Sequence, residues 1–409
     1  MDRPTAASSF LSPKLLAAAP HRLLFFIGAA NVLLAMAWWA LWLVNARWHL
    51  FAQPRPAVYA GWLHAIVMQY QVLPPFMFGF LLTVFPRWMG QPGLTARHYL
   101  PVGVGLLGGQ LLTLAGAWGP AHLLHAGAVL SLLGWSIGLW HLLRLLWRDG
   151  GKTWHATSCA AAMLLGWVGL LLYAVFLHVD DARLMFAAIK FGGFGLLLPV
   201  FFTVAHRMFP FFAGNIVPGY RPWRALWVLG AFWALLLLHL ALELVHGYGW
   251  LWLADAPLLA LTATWAWRNW PHGPAPLLLR VLFLGFAWLP LALVLYNVQS
   301  IVYATGGGFI LGRAPAHALF VGFFGSLLVA MVTRVTQGHS GRPLVFGGTA
   351  TFAFAVIQLV CVVRILAELV SDPMAWQAAA AIGWLLAFTP WVLRSLRIYL
   401  APRIDGKPG

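Results

Sequence analysis

His64, in Gly61-Trp62-Leu63-His64, and His317, in Arg313-Ala314-Pro315-Ala316-His317, stand out in a chain that is otherwise poor in ionisable side chains. A haem iron takes one or two axial ligands from facing helices, and neutral imidazole supplies them. Arg313, four residues before His317, shares its helix face and could neutralise a propionate. The plain alternative is two interfacial histidines bonded to backbone or water. His239, Glu243 and His246 form a second constellation, whose spacings of four and three put all three on one helix face with the carboxylate between the imidazoles. That set suits copper, zinc or a proton relay, unless His246 is simply interfacial beside Gly247-Tyr248-Gly249. A third, basic group comprises Arg87, His206, Arg207, Arg334 and His339. It could bind an anion, a lipid headgroup or the propionates of a second haem, or consist of solvated loop residues.

The elements that must position these side chains follow from composition. Of 409 residues 62% are hydrophobic and 8% charged, and the mean hydropathy is +0.83. A soluble domain carries about 25% charged residues, so water is not the main solvent of this chain. A backbone crossing a bilayer satisfies its own hydrogen bonds as helices or as a closed barrel. Barrel strands alternate polar and apolar residues, whereas Phe232–Leu242 and Leu277–Leu295 are nearly continuous apolar runs. The chain is therefore expected to be an all-α polytopic bundle of about twelve spans. They fall roughly at 21–44, 60–86, 98–117, 121–147, 155–178, 183–208, 223–246, 249–270, 277–303, 313–335, 345–370 and 374–398. Residues 1–20 read as an N-terminal arm, 21–398 as a single membrane domain and 399–409 as a basic tail. Lys14 and Pro20 break any early apolar run, so no cleavable signal peptide is expected.

The net charge of +16 is distributed as a topology signal, and the bilayer with its anionic lipid is the partner that fits it. With the N-terminus inside, nineteen of the 25 Lys and Arg fall on the inner side. An excess of that size in short loops places both termini in the cytoplasm and excludes nucleic acid as a partner. Trp38, Trp39, Trp42 and Trp48 then mark one interface and Trp88, Trp223 and Trp270 the other. The second and tenth spans run in the same direction, which sets His64 and His317 at similar depth near the outer side. Arg87, Arg207 and Arg334 end the second, sixth and tenth spans, four spans apart each time. Three parallel units of four helices would produce this spacing, and so would the ordinary inward bias of arginine.

Within the spans, Lys190 needs a carboxylate or carbonyl partner, and Arg364 and Glu368 at i, i+4 read as a satisfied pair. Pro74-Pro75 should kink the second span and free carbonyls. Cys159 and Cys361 lie inside spans and read as small buried apolar residues. No P-loop, nucleophile elbow, Cys-x-x-Cys-His or tight Cys/His metal motif is present.

Three blocks in order carry a resemblance. Phe78-Gly79-Phe80-Leu81-Leu82-Thr83-Val84-Phe85-Pro86-Arg87-Trp88, then Ala205-His206-Arg207-Met208-Phe209-Pro210-Phe211-Phe212, then Ala330-Met331-Val332-Thr333-Arg334-Val335-Thr336-Gln337-Gly338-His339-Ser340-Gly341-Arg342 resemble the NnrS family. The resemblance covers nearly the whole chain. It implies a bacterial inner-membrane protein containing haem b and copper and linked to tolerance of nitric oxide. Many members carry Trp-His-x-His-Glu-Met in the second span; here the first histidine matches His64, while Ile66 and Val67 occupy the second histidine and glutamate positions.

The twelve-helix layout is also similar to the catalytic subunit of haem–copper oxidases and nitric oxide reductases. There the second and tenth helices supply the low-spin haem ligands, the positions of His64 and His317. Lys190 and the separated His239 and His246 replace that superfamily's copper ligands, and Pro315 stands where its high-spin haem ligand would be. A complete dinuclear reduction site is therefore not expected. The resemblance implies a haem protein of nitric oxide tolerance, redox-active toward a small molecule. Two rivals stay open: a transporter or channel for a small anion or metal ion, and a quinone-linked membrane oxidoreductase. The residues by themselves leave catalysis undecided.

Overall fold

The computed structural model describes residues 11–52 and 57–406. Among the described residues lie twelve long helices: α1 (Pro20–Trp48), α2 (Ala60–Trp88), α3 (Ala96–Trp118), α4 (Ala121–Asp149), α5 (Trp154–Val179) and α6 (Ala182–Gly214) form the first half. The second half comprises α7 (Leu226–Leu244), α8 (Trp252–Asn269), α9 (Leu277–Ala304), α10 (Ala314–His339), α11 (Gly348–Leu366) and α12 (Pro373–Leu400). Eleven of these are long and apolar enough to cross a membrane. The exception is α8, which carries Asp255, Arg268 and Asn269. No strand occurs among the described residues. Each expected span has its helix, so the protein is a polytopic helical bundle. Apolar side chains such as Val104, Leu237, Leu359 and Leu386 point outward, as a lipid solvent requires.

The helices close into a ring of three four-helix units. The last helix of each unit packs on the first of the next: α4 on α5, α8 on α9, and α12 on α1. An ion pair between Arg47 and Asp372, 2.8 Å apart, ties α1 to the start of α12 at one end. At the other, Arg22 donates to the Ala401 carbonyl at 2.7 Å. The second helix of each unit lies inside, so α2, α6 and α10 surround the centre. Their apolar side chains, among them Phe76, Phe80, Val204, Phe209, Leu328 and Met331, line a central cavity of about 70 Å³.

Each of these three helices widens into an i→i+5 turn in its first half: Met68–Val72 in α2, Phe191–Leu197 in α6 and Ala318–Gly325 in α10. Wide turns of this kind are rare and favour functional sites. That they recur in one helix of each unit, together with the cyclic packing, is what three parallel repeats would produce. In α2 the sequence dictates the cause. Pro75 has no N–H to give the Gln71 carbonyl, and the Asn31 amide of α1 donates to that carbonyl instead at 2.8 Å.

Close backbone approach holds the first unit together. A Cβ built on Gly105 of α3 would strike the Gly134 backbone of α4, and one on Gly109 would lie 2.9 Å from the Gly127 carbonyl. Gly105-x-x-x-Gly109 is thus a small-residue seam of the kind that lets membrane helices pack tightly. Replacing Gly105 by Leu is expected to cost about 1–3 kcal/mol through overpacking, read as a lower unfolding midpoint in detergent. Gly230→Leu in α7, where a Cβ meets nothing within 4 Å, should leave the midpoint near wild type.

Candidate functional site

The three wide turns converge. A Cβ on Gly192 would strike the Gln69 amide of α2, and one on Gly193 would lie 3.2 Å from the Phe320 ring of α10. A side chain at Gly192 would force the Gln69 amide to move, and one at Gly193 would press on the Phe320 ring, so the two glycines ease the close approach of the helices. His64 stands one turn before the wide turn of α2, and His317 is the residue immediately before that of α10. Both imidazoles are half-buried, and Arg313 and Arg364 lie within electrostatic reach of each. His317 Nδ1 donates to the Arg313 carbonyl at 2.9 Å. That bond sets the tautomer and leaves the Nε2 lone pair available, the arrangement typical of a metal-ligating histidine.

His64 stacks on Trp39, centroids 4.3 Å apart and planes 9° off parallel, and Trp39 stacks in turn on Trp42. The His64 ring nitrogens make no hydrogen bond among the described residues. Arg364 is bonded to Glu368 at 2.6 Å, as their spacing predicts, whereas the Arg313 guanidinium is exposed and makes no ion pair among the described residues. The pair expected at one depth is therefore brought to one end of the bundle, beside a free guanidinium.

The second constellation is partly assembled and acquires members from other helices. His239 Nδ1 lies 2.7 Å from Asp255 Oδ1, and its Nε2 lies 3.7 Å from Glu243 Oε1. Lys190 Nζ reaches the same Glu243 oxygen at 2.8 Å, supplying the partner that a lysine in a span demands. Phe194 covers the imidazole at 3.9 Å, and Tyr296 meets it edge-on. His246 does not join. Helix α7 ends at Leu244, and His246 adopts a left-handed conformation, exposed and 2.7 Å from the Tyr248 hydroxyl. Burial, and then the Glu243 charge, raise the Tyr248 phenol above its ordinary pKa.

Asp255 escaped the reading of the sequence, although a carboxylate in a span is itself the signal. The copper expected from the family resemblance does not fit His239, Glu243 and His246. The described residues contain no group of three His, Cys, Asp or Glu suited to a metal.

The five basic residues at the opposite end separate. The His339 ring lies against that of His21, centroids 4.1 Å apart and tilted by 33°, with Arg87 in electrostatic reach. His206 Nδ1 lies 2.9 Å from His155 Nε2 on α5. Arg207 lies over the Trp88 ring at 4.4 Å, and Arg334 over Phe212 at 3.7 Å. These two cations are occupied by aromatic faces.

Residues 15–403 match the family described as NnrS protein. A comparison with curated proteins finds no match.

Proposed function

The chain belongs to the NnrS family, and we propose that it is a haem-binding protein of the bacterial inner membrane, acting in nitric oxide tolerance with both chain ends in the cytoplasm. One observation carries the reading. His64 and His317 come to one end of α2 and α10 with available ring nitrogens, His317 held in a single tautomer by the Arg313 carbonyl. These two imidazoles would hold the iron, and Arg313 would meet a propionate, with Arg364 of the Glu368 pair adding positive charge beside it. Haem held there supplies one-electron transfer and an iron able to bind diatomic gases.

The chain's own residues do the rest. The Trp39–Trp42 stack covers His64 and keeps water from one face of the ring. The His239 cluster holds protons near that end: Nδ1 donates to Asp255, and the Nε2 lone pair faces Glu243, which Lys190 already bonds. Lys190, Glu243, His239 and Asp255 thus form a chain of ammonium, carboxylate and imidazole groups across three helices. An intramembrane carboxylate–imidazole chain of this type suits proton movement coupled to redox change.

The experiment is an optical spectrum with metal analysis of the purified protein, oxidised, reduced and exposed to nitric oxide. A haem spectrum that responds to reduction is expected. A colourless, metal-free preparation that passes a small anion across vesicle membranes would replace this reading by the transporter.

A further inference from the structure

At the end opposite His64 and His317, a half-open cavity of about 310 Å³ lies between the start of α1, the end of α2, the end of α10 and the segment after α12. Its ionisable lining consists of His21, Arg87, His339 and Arg403. His21 is 4% exposed, and its Nδ1 is buried with no hydrogen-bond partner among the described residues. Its ring faces that of His339, centroids 4.1 Å apart and planes 33° off parallel. Arg403 gives Nε and one terminal nitrogen to Asp405 at 2.8 and 2.6 Å, which leaves its other terminal nitrogen for a second acceptor. Arg87 is exposed and makes no ion pair among the described residues. Arg22, with Arg342 and Arg403 in electrostatic reach, adds further positive charge behind the cavity.

The other polar side chains in the lining spend their donors on the protein itself. Thr83 donates to the Gly79 carbonyl and Gln91 to that of Leu145, so the guanidiniums and imidazoles are what an occupant would meet. A cation is repelled here. A compact anion with several acceptor oxygens is attracted, because guanidinium forks match oxyanions in charge and in geometry.

We propose that this cavity binds a phosphate group, held by Arg87 and Arg403 and by the His21–His339 pair. The phosphate is carried either by the free ion or by an anionic lipid headgroup, and the proposal is independent of the haem assignment. The cavity lies where α1 begins and α2 and α10 end, a position from which either source can reach it. Phosphate contacts from side chains on four separate segments would fasten the tail after α12 to α1, α2 and α10.

The test uses the full-length protein. Its unfolding midpoint is followed in detergent while inorganic phosphate is titrated against chloride at constant ionic strength. It is followed again in phosphatidylcholine nanodiscs with and without phosphatidylglycerol. A saturable rise of the midpoint is expected, with apparent affinity weakened by about tenfold or more in Arg87→Gln and unchanged in Arg148→Gln, an exposed arginine at the end of α4. A rise with inorganic phosphate identifies the free ion as the source; a rise only with phosphatidylglycerol identifies the headgroup. His339→Gln, which keeps a hydrogen-bonding side chain in the wall, should weaken the response in the same direction. The proposal is overturned by the absence of a saturable rise in both media, by an undiminished rise in Arg87→Gln, or by loss of haem from that variant. The last result would make a propionate the occupant.

Discussion

Purified protein carrying His317→Ala is expected to lose the haem spectrum of the wild type, and His64→Ala to do the same. A group that hydrogen-bonds a metal-ligating histidine is worth about 10–100-fold in metal affinity, so removing the ligand itself should cost more than that. The two variants should differ in what accompanies the loss. Alanine at 317 also removes the donor to the Arg313 carbonyl, next to the exposed guanidinium that would meet a propionate. Alanine at 64 leaves Trp39 unstacked on that face while the rest of α2 is intact. Imidazole added to the buffer should restore part of the spectrum in either variant, which it would not do for a histidine whose role is only to pack. A variant that retains an unchanged spectrum would remove that histidine from the iron. Arg313→Gln is expected to have the smaller effect of losing one charged hydrogen bond, about 1.5–3 kcal/mol.

Lys190→Met is expected to destabilise the bundle by about 3–5 kcal/mol. Glu243 is 3% exposed, and Lys190 holds one of its oxygens at 2.8 Å while the other oxygen has no hydrogen-bond partner among the described residues. Removing the ammonium leaves Glu243 and Asp255 as two buried carboxylates around one imidazole, and the desolvation penalty of an unpaired charge then falls on the fold. Pairing Lys190→Met with Glu243→Gln should recover most of the loss, because the double variant has no orphaned charge at that position. Unfolding midpoints of the two single variants and the double variant measure the coupling. Near-additive losses would show that Lys190 and Glu243 do not act as a pair. If the cluster also accepts protons, Asp255→Asn should slow the reoxidation of reduced haem while leaving its spectrum intact, since Asp255 bonds His239 and touches neither His64 nor His317.

Much of this architecture follows from the order of residues alone. Hydropathy acts over a window of about twenty residues, so the bundle and its spans are written locally along the chain. The likeness in depth of His64 and His317 needs only their distance from a helix start and the direction of the span. Arg364 and Glu368 meet because i, i+4 neighbours share a helix face whatever surrounds them. Lys190 declared its need of a partner through the cost of a charge in lipid, but not which carboxylate would meet it.

The tertiary structure decided everything that depends on how one helix is rotated against another. Asp255 meets His239 because α8 packs on α7 with those faces turned together, and no spacing within either helix determines that rotation. Counting turns puts His246 with His239 and Glu243, but the helix stops at Leu244, where the chain turns into Gly247-Tyr248-Gly249, and the count ceases to apply. The five basic residues near one end were a group only in depth. Packing divides them between the aromatic faces of Trp88 and Phe212, the His155 ring and the His21 cavity. Depth and helical face are properties of a segment; which residues touch across the bundle is a property of three units closing into a ring.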